Sequence, residues 1–212
     1  MPTWSYIIVA VAAYLLGSIP TGYLIGKAKG IDIRKSGSGN IGATNSYRVL
    51  GKPAGIFVLL ADCAKGFVAV CVCNLILKMF NMPDAGVEAH RIVAGIFAVL
   101  GHNYTCWLKF KGGKGIATTA GVYLALAPVA LGIALALFIL AVLTTRYVSV
   151  GSIVAAIVLP IAVWFTAENL FLRIVTIALG AMAIYKHRGN IRRLLNGTES
   201  HIGKKSQPEA AK

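Results

Sequence analysis

Six long runs of apolar residues dominate this chain and restrict what it can fold into. They cover residues 4–26, 56–77, 92–108, 116–145, 148–165 and 170–185. Most of them approach or exceed the roughly 20 residues that a helix needs to cross a bilayer. They also lack the alternation of apolar and polar residues that is typical of membrane β-strands. The pattern therefore predicts an all-α, polytopic membrane protein.

The composition excludes the two other broad classes of protein. Hydrophobic residues make up 57% of the 212 residues and charged residues 13%, about half the roughly 25% of an ordinary soluble domain. A soluble domain of this size cannot bury so much apolar surface, and disordered chains are polar. We expect one membrane-embedded catalytic domain over residues 1–197, followed by a polar, disordered cytoplasmic tail over residues 198–212.

The charges give an orientation, because the net charge of +14 is concentrated in three basic segments between the runs. These segments are 27–52, 109–114 and 186–193. Basic loops favour the cytoplasmic side, and the weakly charged segment 81–88 is expected outside. All three basic segments lie on one side only if run 116–145, which contains Pro128, forms two short crossings or a re-entrant pair. This predicts seven transmembrane helices, with the N-terminus outside and the C-terminus inside.

The first basic segment contains KSGSGNIGATNSYR, residues 35–48. Its glycines have the spacing of a dinucleotide-binding loop, but no strand precedes them, so that interpretation fails. Glycines still let backbone N–H groups approach an anion, and an arginine can form two bonds with a phosphate. A flexible spacer is the alternative, but polar side chains are too dense for one. The candidate anion-binding residues are Ser38, Gly39, Asn40, Gly42, Thr44, Asn45 and Arg48.

The second segment reads GHNYTCWLKFKGGKG, residues 101–115. It is not a phosphate-binding Walker A loop, because that motif needs a glycine where Leu108 stands and a Ser or Thr where Gly115 stands. Lys114, preceded by Gly112 and Gly113, nevertheless opens a predicted helix, and helix N-termini attract anions. Gly112, Gly113 and Lys114 are therefore candidate substrate-binding residues. The alternative is that the lysines only mark the cytoplasmic side.

The third segment reads KHRGNIRRLLNGTE, residues 186–199. His187 and Asn190 are three residues apart and share one helical face, so a role in a site is one of two open interpretations. For the arginines of this segment, contact with anionic lipid is the favoured interpretation. Within the second run, Asp62 and Lys65 are read as a structural ion pair rather than a proton relay.

Carboxylates are scarce on the predicted inner face, where Asp32 stands alone before the tail. Magnesium-dependent phosphotransfer usually needs carboxylates to hold the ion. The sequence therefore predicts no metal or other cofactor, and a site that binds dianionic phosphates through cations and neutral donors. A transporter of organic phosphate esters would want similar residues, but it predicts polar groups that continue across the membrane.

These segments, together with GSIPTGYLIGK at 17–27 and DCAKG at 62–66, resemble the bacterial acyl-phosphate:glycerol-3-phosphate acyltransferase family over residues 17–199. The resemblance implies an integral inner-membrane enzyme with seven membrane helices and an active site facing the cytoplasm. Its reaction moves a fatty acyl group from acyl phosphate to the 1-hydroxyl of glycerol 3-phosphate, giving lysophosphatidate and phosphate. This is the first acylation of phospholipid synthesis.

The resemblance also implies roles for particular residues. Contacts with glycerol 3-phosphate are expected from Ser38, Arg48, Lys114, His187 and Asn190. The backbone of 39–44 and the Thr44 side chain would hold the acyl-phosphate group. His187, Lys114 and Asn190 are the expected catalytic residues, and the proton acceptor is either a substrate phosphate oxygen or His187. The expected partners are the two substrates and membrane lipid, without nucleic acid, acyl-CoA or acyl carrier protein.

Overall fold

The computed structural model describes residues 2–80 and 86–202. Most of the predicted outer segment 81–88, and the tail beyond residue 202, lie outside this description. The described residues form α-helices and two 3-10 turns, Ile33–Lys35 and Cys106–Leu108, and contain no β-strand, so the predicted all-α class is confirmed for them. The helices are α1 (Thr3–Gly17), α2 (Thr21–Ala28), α3 (Ala43–Leu50), α4 (Lys52–Met79), α5 (Val87–Asn103), α6 (Ile116–Leu126), α7 (Pro128–Thr145), α8 (Val148–Thr166), α9 (Leu170–Lys186) and α10 (Arg188–Leu195).

Helix length and hydropathy identify four segments that are able to cross a membrane. They are Thr3–Ala28 (α1 and α2 together), α4, α7 and α8. Together α9 and α10, which are bent by 52° at their junction, would form a fifth. The 17 residues of α5 and the 11 residues of α6 are shorter than a full span. Four or five candidate spans are therefore present among the described residues.

Prolines divide two of the apolar runs. The run 4–26 is interrupted between Gly17 and Thr21, where Pro20 cannot donate a backbone hydrogen bond. The run 116–145 breaks at Ala127, which has φ −151° and ψ 70°, and Pro128 is the first residue of α7. Proline is well tolerated at that position, because the first N–H of a helix has no partner in any case. The break predicted at Pro128 is confirmed.

Glycines bring the backbones of neighbouring helices into contact, as is common in membrane proteins. A Cβ atom on Gly121 of α6 would lie 1.8 Å from the carbonyl oxygen of Cys63 in α4. A Cβ atom on Gly66 of α4 would lie 2.2 Å from the carbonyl oxygen of Thr118 in α6. This reciprocal contact fixes α6 against α4 and so fixes the loop that leads into α6.

A buried ion pair connects the same region to the bend in the first apolar segment. The Asp62 carboxylate lies 2.9 Å from the Lys65 ammonium and 3.6 Å from Nδ1 of His102. The ammonium also donates to the carbonyl oxygen of Ile19 at 2.9 Å. Because each charge has partners from other elements, the geometry supports the structural ion pair predicted from the sequence.

The glycine contact gives a first prediction. We expect Gly121→Ala to lower the free energy of unfolding by about 1–3 kcal/mol, since backbone atoms on α4 cannot move aside without displacing the helix. Gly132→Ala on α7 is the matched control, because a Cβ atom there would meet no neighbouring atom within 4 Å, and alanine favours the helix. Thermal unfolding in detergent measures both variants. Equal melting temperatures for the two variants would contradict the packing account.

Candidate functional site

A polar cavity of about 390 Å³ lies where the three basic segments meet. Its lining consists of Ser38, Gly39, Asn40, Lys114, Lys186, Arg188, Gly189, Asn190, Arg192 and Arg193. Five of these side chains are cationic and none is a carboxylate. The cavity is therefore suited to an anion with more than one negative charge. Three arginines of the third segment line this cavity, Arg188, Arg192 and Arg193, whereas the sequence favoured contact with anionic lipid for them.

The first wall of the cavity is organised by Asn45, which is buried in α3. Its side-chain amide donates to the carbonyl oxygens of Ile33, Ser36 and Asn40 at 2.9–3.2 Å. Its side-chain oxygen accepts from the backbone N–H of Ser38 at 2.8 Å. These bonds use the capacity of the amide, so Asn45 shapes the loop and does not face the cavity.

The structure brings Ser38, Gly39 and Asn40 to the cavity but assigns Gly42 to the helix start. The N–H of Gly42 donates to the side-chain oxygen of Asn40 at 2.8 Å. Gly39 has φ +70°, a left-handed conformation that glycine adopts at little cost. The backbone of Gly39 therefore lies at the cavity, whereas Gly42 supports the turn into α3.

The second wall differs more clearly from the sequence analysis, which predicted that Gly112 and Gly113 bind substrate. Their N–H groups donate to the carbonyl oxygens of Asn103 and His102, at 3.2 and 3.0 Å. A Cβ atom on Gly113 would lie 2.0 Å from Nε2 of His102. The two glycines are thus needed for close packing on the end of α5, and their N–H groups are not free for an anion. They act by placing Lys114.

Lys114 links the second segment to the third. Its ammonium donates to the side-chain oxygen of Asn190. Burial lowers the pKa of Lys114 to about 8, and the positive charges of Arg193, Arg48 and Lys186 contribute to this shift while Glu199 opposes it. The group is protonated at neutral pH, yet a bound anion would relieve the repulsion that surrounds it.

His187 lies between α9 and α10 and is buried beside the cavity rather than in its lining. Its Nδ1 lies 2.8 Å from the carbonyl oxygen of Ala183. A carbonyl only accepts, so Nδ1 carries the proton and Nε2 holds the lone pair. Burial, followed by the charge of Lys114, lowers the pKa of His187 to about 4. The imidazole is therefore neutral at physiological pH.

Glu199 is a site residue that the sequence analysis missed. Its carboxylate accepts hydrogen bonds from Asn190 (2.7 Å), Arg193 (2.7 Å) and Ser149 (2.9 Å). Burial raises the pKa of this carboxyl, but the three hydrogen bonds outweigh burial and the pKa is lowered overall. The tail expected from residue 198 therefore does not begin there, because a buried carboxylate amid cations holds this part of the chain in place. The sequence offers one indication of this role: the arginines of the third segment lie a few residues before Glu199, and a carboxylate is their usual partner.

An apolar groove of about 810 Å³ lies beside the polar cavity. Residues of α3, α4, α6, α7, α8 and α9 line it, and Thr44 and Arg48 belong to its polar end. Arg48, half-buried, donates to the carbonyl oxygen of Ser200 at 3.1 Å. From the sequence, Arg48 was expected to lie with Ser38 and Lys114. The structure instead places Arg48 with Thr44 on the groove.

Comparison with known proteins gives concordant results. A family model described as glycerol-3-phosphate acyltransferase matches residues 7–197. The glycerol-3-phosphate acyltransferase of Geotalea daltonii is 46% identical over 92% of this chain and 97% of its own length. Crystal structures of PlsY (YgiH), an integral membrane glycerol 3-phosphate acyltransferase, in glycerol 3-phosphate and lysophosphatidic acid forms superpose with TM-scores of 0.85 and 0.82. Each is 38% identical in sequence to this chain, and the match covers 94% of this chain and 96% of the crystallised chain.

The hydrogen bonds of Asn45 give the second prediction. Asn45→Asp keeps an oxygen that accepts from the N–H of Ser38. It replaces the amide nitrogen, which donates to three carbonyl oxygens, with a charged oxygen that can only accept. We expect it to destabilise the protein by about 3 kcal/mol, because one oxygen of the buried carboxylate would face three carbonyl oxygens with no donor between them. Asn169→Asp is the control, since that side chain only accepts from the N–H of Leu172 at the start of α9 and aspartate does so equally well. Thermal unfolding of both variants in detergent decides. Equal melting temperatures would contradict the assigned role.

Proposed function

The chain belongs to the glycerol-3-phosphate acyltransferase family, and on that premise we propose that it transfers a fatty acyl group from acyl phosphate to the 1-hydroxyl of glycerol 3-phosphate. The products are lysophosphatidate and phosphate. One observation carries the proposal: a cavity lined by five cations adjoins an apolar groove whose polar end contains Arg48. The first space suits a small phosphate ester, and the second suits an anion that bears a long apolar chain.

The two spaces divide the substrates between them. Glycerol 3-phosphate would occupy the polar cavity, with its phosphate near Lys114 and Ser38. The acyl chain would lie in the groove, with the acyl phosphate group near Thr44 and Arg48. A relative was crystallised in a lysophosphatidic acid form, and that molecule combines both chemical parts, a phosphate ester and an acyl chain.

The reaction needs alignment more than activation. An acyl phosphate is a mixed anhydride, so the glycerol hydroxyl can attack its carbonyl carbon while the carbon–oxygen bond to phosphate breaks. Two anions must first approach each other, and the cations would offset the repulsion between them. The same cations would stabilise the negative charge on the leaving phosphate. Lys114, held by Asn190, would fix the acceptor. Arg48 would leave its contact with a neutral carbonyl for a charge-assisted bond with the donor.

The hydroxyl proton would pass to a phosphate oxygen of a substrate. His187 is the other candidate, but its pKa of about 4 makes the free enzyme's imidazole a weak base. A phosphate with a second pKa near 6 is a better acceptor at neutral pH. His187 would then contribute through Nε2, as a hydrogen-bond acceptor for the 2-hydroxyl, which does not react, and so orient the glycerol backbone. No metal ion or other cofactor enters these steps.

The membrane arrangement is part of the proposal. We propose seven membrane helices in one membrane-embedded domain, with the N-terminus outside and the C-terminus in the cytoplasm. The short helices α5 and α6 would count among the seven. The segments that line the polar cavity carry the basic charge, which favours the cytoplasmic face of the bacterial inner membrane. Cytoplasmic glycerol 3-phosphate and membrane-dissolved acyl phosphate would then meet at one site.

Transport of phosphate esters is the weaker alternative. It requires a polar path across the membrane, whereas the lining of the polar cavity comes only from the loops before α3 and α6, the end of α9, and α10. The polar cavity thus ends within one side of the molecule. This observation favours the transferase.

The direct test uses purified protein with palmitoyl phosphate and glycerol 3-phosphate in the presence of EDTA. We expect lysophosphatidate and phosphate in equal amounts, because cationic side chains supply the charge stabilisation. Palmitoyl-CoA in place of palmitoyl phosphate should give no product. Failure to form lysophosphatidate would refute the transferase, and uptake of labelled glycerol 3-phosphate into liposomes would support the alternative.

A pH profile tests the role of Lys114. Because its pKa is about 8 in the free protein, its positive charge is present below that pH and is lost above it. We expect kcat/KM for glycerol 3-phosphate to fall above about pH 8, by up to tenfold per pH unit. Lys114→Arg should shift this fall to higher pH, since arginine remains charged.

Lys111→Arg is the control, because Lys111 is exposed in the same loop and does not line the cavity. Its profile should match that of the unmodified protein. An alkaline fall that is identical in Lys114→Arg would show that another group titrates.

A further inference from the structure

Residues 199–202, which we call the C-terminal strap, begin at the last residue of the third segment and lie beyond the part of the chain that the family model matches. The strap is fixed at its start by the three hydrogen bonds of the Glu199 carboxylate. These bonds tie it to α8 and α10. The strap is therefore held against the helices by hydrogen bonds, although the sequence predicted a disordered tail from residue 198.

The far end of the strap is fixed to the turn between α7 and α8. The backbone N–H of Ile202 donates to the carbonyl oxygen of Arg146 at 2.9 Å. The rings of Tyr147 and His201 stack with their centroids 4.1 Å apart, and the tyrosine hydroxyl lies 2.8 Å from Nε2 of His201. Anchors at both ends leave the middle of the strap little freedom.

The strap borders the apolar groove rather than the polar cavity. His201 and Ile202 both line the groove, together with Arg48 and Thr44, and neither lines the polar cavity. The carbonyl oxygen of Ser200 accepts from Arg48. The strap thus covers the end of the groove where the acyl phosphate group would lie under the proposed function.

We propose that the C-terminal strap forms a wall of the donor site, in which Ile202 contacts the first carbons of the acyl chain and the Tyr147–His201 pair positions the strap. This inference rests on the proposed function. Ile202 is 46% exposed in the described structure, so it has apolar surface that a chain in the groove would cover. Its contribution should be specific to the donor, because glycerol 3-phosphate would lie in the other cavity.

The test measures KM separately for palmitoyl phosphate and for glycerol 3-phosphate in the full-length protein. We expect Ile202→Ala to raise KM for palmitoyl phosphate by about three- to tenfold, since about three carbons of apolar contact are lost. KM for glycerol 3-phosphate should stay unchanged. Ile202→Val, which loses only one methyl group, should stay close to the unmodified protein.

Tyr147→Phe is the independent second variant, because it removes the hydroxyl contact with His201 and keeps an aromatic ring for stacking. It should raise KM for palmitoyl phosphate selectively as well. Leu195→Ala is the matched control: this leucine is 82% exposed on α10 and lines neither the groove nor the cavity. It should change neither constant.

The outcomes separate the inference from the proposed function. If the unmodified protein forms lysophosphatidate but Ile202→Ala and Tyr147→Phe change neither KM, or raise both equally, the strap is not a wall of the donor site. If the unmodified protein forms no lysophosphatidate, the transferase and the strap both fail.

Discussion

Repulsion among cations gathered at one end of the helices is the constraint on which the site depends. Lys114, Lys186, Arg188, Arg192 and Arg193 line one small cavity, and such a set would repel itself if nothing compensated it. Glu199 supplies the compensation, since its carboxylate contacts Arg193 directly and Lys114 through the side chain of Asn190. One negative charge cannot neutralise five positive ones, so the cavity keeps a net positive charge that favours binding of a polyanion.

This electrostatic arrangement needs a rigid support, and the helices beneath it provide one. Gly66 and Gly121 allow α4 and α6 to touch through their backbones. The carbonyl oxygens at the end of α5 hold the backbone of Gly112 and Gly113. The position of the partly buried Lys114 ammonium therefore follows from the packing of α4, α5 and α6 several residues away.

The sequence predicted the helical class, the break at Pro128 and the meeting of three basic segments, because hydropathy and charge patterns are local properties. It could not predict that the side-chain amide of Asn45 donates all its hydrogen bonds to backbone carbonyl oxygens. Nor could it predict that Gly112 and Gly113 pack closely on the end of α5, or that Arg48 lines the groove. Those facts depend on contacts between distant segments. Glu199 was missed for the same reason: its partners Ser149 and Arg193 become neighbours only after folding.

The central claim is that the two substrates occupy two adjoining spaces. The most direct measurement is a structure of this protein with both glycerol 3-phosphate and a non-hydrolysable palmitoyl phosphonate bound. We predict that the glycerol 3-phosphate contacts Lys114 and Ser38 in the polar cavity, while the phosphonate lies beside Arg48 with its chain in the apolar groove. Both phosphorus groups in the polar cavity, with the groove empty, would contradict the account.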